Sequence, residues 1–389
     1  MYVSPTKASE QLNWKSMVRP FQTADTRKSI WQVVNTFVPF FILWIVMYFS
    51  LRVGYWLTLL LALPTAGLLV RVFIIQHDCG HGSFFASRKA NDYLGIVCGL
   101  FTLTPYYQWR KSHAVHHATA GNLARRDVHD VYTMTVNEYN EAPLAGKIRY
   151  RLYRNPITLF LILPLALFMV LYRFPGPLAR RKEKLNVLAN DLALVVIVAL
   201  VSLVIGFRPF LLVHLPLIFI ASTVGTWLFF VQHQFEDTYW AGGEEWDYAT
   251  AALKGSSFYK LPKVLQWFTG NIGFHHIHHL SPRIPNYRLE ECHRQNPELQ
   301  NVSTLTLSSS LRTTFLSLWD EDQKKLVSFR TARRTTRAAP VENQRRWGLS
   351  TDSTDTTACK TVPSVKSVDD ILTREPIAHC PTIRKPGSG

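Results

Sequence analysis

The chain predicts an all-α integral membrane fold with four transmembrane helices arranged as two hairpins. Three observations carry that expectation. Uncharged apolar runs are long enough to span a bilayer, basic residues concentrate in the segments between them, and nine of the 14 histidines fall in three five-residue windows at helical spacing.

Composition sets the frame. Hydrophobic residues make up 47% of the 389 residues, aromatics 13% and charged residues only 18%. That is too apolar for a disordered chain and too low in charge for a typical soluble domain. The apolar residues gather in uncharged runs, which points to a membrane rather than a large soluble core. The net charge of +16 fits the cytosolic loops of a membrane protein, which carry an excess of Lys and Arg. The five cysteines show no CxxC and no regular spacing, so they read as reduced cytosolic thiols rather than a disulfide framework or a zinc site. A polar stretch of about thirty residues precedes the first apolar run, which is not the pattern of a cleavable signal peptide.

The elements follow in order. Residues 1–32 form a polar N-terminal segment with Lys7, Lys15, Arg19, Arg27 and Lys28. Residues 33–51 carry no charge and suffice for a span at about 1.5 Å rise per residue. After a short turn, 55–76 form a second span, interrupted only by Arg71, which can snorkel to the interface. The runs 93–107 and 156–172 are short and contain prolines, and both begin and end on one side of the membrane by the positive-inside rule. They are expected to be interfacial or re-entrant. Between 173 and 184 the basic residues Arg173, Arg180, Arg181, Lys182 and Lys184 mark a cytosolic segment. Residues 192–207 and 209–231 then cross out and back, joined by the tight connection Phe207-Arg208-Pro209. This parity places both termini and every histidine cluster on the cytosolic side of a domain spanning 33–319. From 320 to 389 a basic, Ser- and Thr-rich tail is expected to be flexible and to lie near lipid headgroups.

The histidine windows are His77-Asp-Cys-Gly-His81, His113-Ala-Val-His116-His117 and His275-His276-Ile-His278-His279. Fifteen positions would hold roughly half a histidine at the chain-average frequency. On a helix, positions i, i+3 and i+4 share a face. His77 and His81 are therefore paired, and so are the trios His113, His116, His117 and His275, His278, His279, each aimed at one point. Neutral imidazole suits iron, copper, nickel or zinc. Eight such ligands exceed what one tetrahedral zinc needs, and two ions fit the count. His276 breaks the shared face and reads as a supporting or surface residue. His233 emerges at the end of the last span on the clusters' side and is a candidate ninth ligand. His214 is expected to pack within its apolar run, and His129, His293 and His379 have no assigned metal role. There is no HExxH, so a zincin protease lacks its general base, and no Glu-x-x-His pair of the soluble di-iron carboxylate type.

These motifs resemble the membrane fatty acid desaturase family. The resemblance runs from about Gln76 to His293 on the stretches His77–Phe85 (HDCGHGSFF), His113–His117 with the following Ala-Thr-Ala-Gly-Asn, and Gly270–Leu289 (GNIGFHHIHHLSPRIPNYRL). The last stretch, with Gln232–Glu236, is most similar to bacterial and cyanobacterial acyl-lipid desaturases of the delta-12 or omega-6 kind. The resemblance implies a cytosolic helical cap holding a non-haem di-iron centre. Its ligands would be His77, His81, His113, His116, His117, His275, His278 and His279, with His233 as a ninth. Some members add a water held by an Asn four residues before that last histidine. Position 229 here is Phe, so this detail does not carry over. The implied activity is insertion of a cis double bond into a lipid-linked acyl chain with O2 and two electrons. The His-Pro-Gly-Gly haem motif of fused cytochrome-b5 members is absent from the sequence. Electrons would therefore come from a separate ferredoxin or cytochrome b5. A bacterial plasma membrane is the expected location.

Groups beside the ligands should fix the imidazoles. Asp78, Asp127, Asp130, Glu236 and Asn271 are candidates by proximity in sequence, while Arg125, Arg126 and Trp109-Arg110-Lys111 flank the second window as interfacial anchors or contacts to headgroup or donor. Three other readings compete. An acyl hydroxylase, ketolase or alkane monooxygenase could use the same centre. A metal transporter would put its ligands at mid-bilayer depth, and these lie at span ends. A nucleic-acid-binding membrane protein finds no supporting motif, so no nucleic-acid partner is expected.

Overall fold

The computed structural model describes residues 13–126 and 130–338. Asp127, His129 and His379 lie outside the described residues. The described chain is predominantly helical, with two small two-stranded sheets.

Four helices are long and apolar enough to cross a membrane: α1 (Thr26–Ser50), α2 (Tyr55–His81), α7 (Arg181–Ile205) and α8 (Phe207–His233). Each extends past the span predicted for it at one end at least. The extra turns on α2 and α8 carry the histidines. The Asp25 carboxylate starts α1 by accepting from the Arg27 and Lys28 amides at 3.0 and 3.1 Å, which satisfies two of the four amides a helix start leaves unpaired. The α1–α2 turn is held by a buried 2.7 Å hydrogen bond between the Ser50 and Thr58 hydroxyls. The second turn is tighter than expected. Gly206 alone reverses the chain with φ 89°, a value open to glycine, and Phe207 to Pro209 already form the first turn of α8, where a missing N–H costs nothing.

Between the hairpins lie α3 (Arg88–Phe101), α4 (Tyr106–Thr119), α5 (Leu144–Tyr153) and α6 (Leu163–Met169). The stretch expected at 93–107 is therefore the end of α3, a short bend and the start of α4. The stretch at 156–172 is a π-helical turn (Thr158–Ile162) leading into α6, bent 58° from α5. Both leave apolar side chains exposed, among them Tyr93, Ile157 and Ile162.

After α8 come β1 (Phe258–Tyr259), α9 (Lys263–Phe268), α10 (His275–Leu280), α11 (Asn286–Gln295), β2 (Thr304–Leu305), α12 (Leu307–Thr313), β3 (Leu316–Asp320), β4 (Lys325–Ser328) and α13 (Phe329–Ala338). The parallel pair β1–β2 and the antiparallel hairpin β3–β4 are the two sheets. Residues 320–338, expected in the tail, instead form the end of that hairpin and α13. Their apolar positions pack: Leu318 and Val327 are buried with Tyr139 and Tyr150, and Ala332 of α13 joins them. The Arg-rich spacing of α13 reads as a solvated run in sequence, but one apolar face docks.

The core runs along α2. It packs between α1, α3 and α8, with Met47, Ala62, Leu69, Val72, Ile75, Val213 and Leu217 buried. Small residues on α2, including Ala62 and Ala66, let the neighbours approach closely.

Candidate metal centre

Nine histidines meet where α2, α4, α8 and α10 converge. Ring nitrogens of His77, His81, His113, His117 and His278 all lie within 4.8 Å of one another, and a second such group joins His116, His233 and His279. His275 completes the second group, its Nε2 2.9 Å from His233 Nε2. His276 alone among the windowed histidines is left out of both groups.

The windows do not each aim at one point, as the spacing had suggested. In α4 the i, i+4 pair His113 and His117 serves the first group and His116 the second. In α10 the pair His275 and His279 serves the second group and His278 the first. A face made of i, i+3 and i+4 is wide enough to reach two points when the helix lies between them.

The donors fit metal ions, on two observations. First, His117 Nε2 lies 3.1 Å from His113 Nε2 and 3.0 Å from His278 Nε2, while His233 Nε2 lies 3.2 Å from His116 Nε2 and 2.9 Å from His275 Nε2. Ligands about 2.1 Å from a metal and at right angles to each other sit about 3.0 Å apart. A neutral imidazole has one N–H and cannot satisfy two facing nitrogens by hydrogen bonding. Second, His81 Nε2 and His279 Nε2 are buried with no hydrogen-bond partner. Burial, and then the neighbouring imidazoles, hold His113, His117, His275, His278 and His279 well below the ordinary imidazole range. They are therefore neutral near pH 7, the form that binds metal.

Local sequence explains the convergence. Gly80, one residue before His81, leaves room for Trp109, whose ring would lie 2.9 Å from a Cβ there. Trp109 in turn stacks on His113 at 4.6 Å. Phe229, one turn before His233, lies 5.0 Å from the His116 ring and 5.2 Å from the His233 ring. Aromatic rings thus flank both groups.

The supporting candidates sort clearly. Asp78 is buried, its Oδ1 3.1 Å from His77 Nδ1 and its Oδ2 accepting from the Asn286 backbone and side-chain amides at 2.7 and 2.8 Å. Asn271, at φ 58°, donates to the Asn286 carbonyl at 3.0 Å. The chain Asn271, Asn286, Asp78, His77 is a continuous brace from α11 to the first group. Asn286 was not among the candidates, although it lies inside the third quoted stretch. Glu236 is a correction: it is 60% exposed and ion-paired with Lys325 at 3.4 Å, because α8 ends at His233, capped by Gln234, and the chain turns away. Asp130 accepts from the Val131 amide at 2.7 Å. His276 is buried, not at the surface, and lies 3.3 Å from His293. His214 stacks on Phe210 within α8, as expected. Arg126 is used internally, binding the Thr133 and Leu123 carbonyls and Glu138, and Arg110 pairs with Asp92 at 2.8 Å.

Residues 53–306 match the family profile described as "Fatty acid desaturase". A fatty acid desaturase of Bacillus subtilis (strain 168) is 49% identical over 325 residues, which is 84% of this chain and 92% of that protein. The sn-1 acyl-lipid omega-3 desaturase (ferredoxin) of Nostoc sp. (strain 36) is 30% identical, over 56% of this chain and 61% of its own length. An acyl-lipid omega-3 desaturase (cytochrome b5) of the Arabidopsis thaliana endoplasmic reticulum is 26% identical, over 56% and 58%.

Proposed function

This chain belongs to the fatty acid desaturase family, and from that premise we propose that it inserts a cis double bond into a lipid-linked acyl chain using O2 and an external electron donor. The observation that carries the reading is the convergence of nine histidines, in groups of five and four, at the inner ends of two apolar helices. We assign His77, His81, His113, His117 and His278 to one iron and His116, His233, His275 and His279 to the other.

A pair of iron ions held there supplies the strong oxidant that an unactivated methylene requires. The overall change balances as –CH2–CH2– plus O2, two electrons and two protons giving –CH=CH– and two waters. The chain's own residues do the rest. Asp78 fixes the tautomer and orientation of His77, so the ligand points inward with its Nδ1 side paired. Trp109 and Phe229 present apolar surface to the ligand groups, keep water away, and give the acyl chain a wall to pack on. The four long helices are proposed to span the membrane, with the basic segments and the histidines on the cytosolic side of a bacterial plasma membrane.

The finer points rest on likeness. The delta-12 (omega-6) reading is supported by the likeness of the third histidine stretch and Gln232–Glu236 to such enzymes, and the omega-3 names among the relatives make an omega-3 product the second reading. Ferredoxin or cytochrome b5, printed in the names of those relatives, is the proposed class of donor. Hydroxylation on the same scaffold differs only in the fate of the oxidised carbon.

Fatty-acid profiling of a bacterium lacking polyunsaturated lipids, expressing this chain with and without His116→Ala, tests the reading. A new unsaturated species lost in the variant is expected, and its bond position gives the regiochemistry. A hydroxylated or keto product would move the enzyme to the sister activity.

A further inference from the structure

Three short helices outside the long hairpins leave apolar stripes uncovered. On α5, Leu144, Ile148 and Leu152 are 74%, 51% and 62% exposed at i, i+4, i+8 spacing. On α12 and just after it, Leu307, Leu311 and Phe315 repeat the pattern at 45%, 61% and 67%. On α9, Val264 and Trp267 are 68% and 39% exposed. None of the three helices contains a carboxylate, while Arg149 flanks the first stripe and Arg312 the second; Lys147 and Arg151 instead bind the Asn140 carbonyl and the Tyr139 hydroxyl.

These helices are tied to one level of the fold. Arg71 of α2 donates to the Trp267 carbonyl and lies 4.2 Å from the Trp267 ring centroid. Trp227 of α8 donates to the Tyr259 hydroxyl at 3.2 Å, which meets the Ser310 hydroxyl of α12 at 3.1 Å. Phe160, in the turn that follows α5, packs on the same Trp227 at 5.1 Å. Arg71 lies six residues before His77 and Trp227 six before His233, so both anchors sit about 9 Å toward the membrane from the histidines at 1.5 Å per residue.

We infer that α5, α9 and α12 form a collar seated in the headgroup region of an anionic phospholipid leaflet. Basic side chains beside an apolar stripe are the composition of a helix lying in a membrane interface. A collar at one level holds the histidine groups just outside the hydrocarbon, where an acyl chain drawn from the leaflet reaches them without leaving apolar surroundings. This rests on the proposed spanning role of the four long helices.

Spin labels on single cysteines test it in nanodiscs containing phosphatidylglycerol. The three buried cysteines are kept, and Cys359 and Cys380 are replaced by serine. Labels at Ile148, Leu311 and Val264 should collide more with oxygen than with aqueous nickel chelate, and a label at the exposed Glu298 should do the reverse. Val196 on α7, 48% exposed, reports on the span itself. Chelate-dominated collisions at the three collar positions, with Val196 lipid-like, would overturn the collar alone. An aqueous Val196 would overturn the spanning reading beneath it. The double variant Arg149→Glu, Arg312→Glu should raise chelate access at Ile148 and Leu311 at least twofold, and unchanged access would overturn the anionic-leaflet assignment.

Discussion

In each hairpin, one helix is a lining and the other a spine. The most apolar stretches of α1 and α2 are 22% and 61% buried within the protein, and those of α7 and α8 are 6% and 28%. Yet α1, α2, α7 and α8 are all long, and each holds an apolar stretch with few charges. What separates them is the inner end. The spines α2 and α8 finish on His77, His81 and His233, whereas α1 and α7 contain no histidine. Apolarity therefore does not tell the four helices apart, and the residues closing each helix mark which ones bring histidines to the cluster.

The sharpest test removes one ligand that the cap helix α10 sets against those helix ends. His278→Ala should abolish product and lower bound iron, measured by elemental analysis of the purified protein. Full iron content in that variant would remove His278 from the centre. Acid is the next largest lever. The depressed cap histidines (His113, His117, His275, His278 and His279) take up protons in the unfolded chain near 6.5 and resist them when folded. Their share of native stability is thus present above about pH 6.5 and lost as pH falls below it. The melting temperature of the metal-free protein in detergent should drop as pH is lowered from about 7 to about 5, while a peptide of α7 alone should show no such change in helicity over that range. Asp78→Ala cuts the brace without touching a ligand, and metal affinity should weaken by about 10–100-fold; an unchanged affinity would make Asp78 a packing residue only. At the small end, Leu203→Ala on the lining helix, where Leu203 is 83% exposed, should shift stability by no more than about 0.5 kcal/mol in a detergent unfolding titration.

The spans, their pairing and the histidine windows were readable because each leaves a local signal: a charge-free run, a basic connector, or a residue repeated at helical spacing. His233 was readable from its position at a helix end alone. The division of the α4 and α10 histidines between two groups was not, since it depends on where those helices lie relative to each other. Proximity in sequence misled at Glu236, because the helix stops at His233 and direction is lost within three residues. Asn271 is linked to Asp78 through Asn286, a connection sequence does not hold, because it needs α11 to return and put Asn286 between them. The hairpin and α13 after Asp320 were hidden by arginines, whose charge masks a narrow apolar face that matters only once Tyr139 and Tyr150 are beside it.

The interleaving of histidines has one more consequence. Under the proposed ligand assignment, α4 and α10 each give ligands to both irons, so the first ion to arrive also fixes the backbone that presents ligands to the second. The two binding events then share a free energy of coupling and favour each other reciprocally. Chains holding a single ion become the scarce species, and loading during synthesis tends toward all or none. A protein supplied with too little iron would divide into full and empty molecules instead of a population of half-built ones.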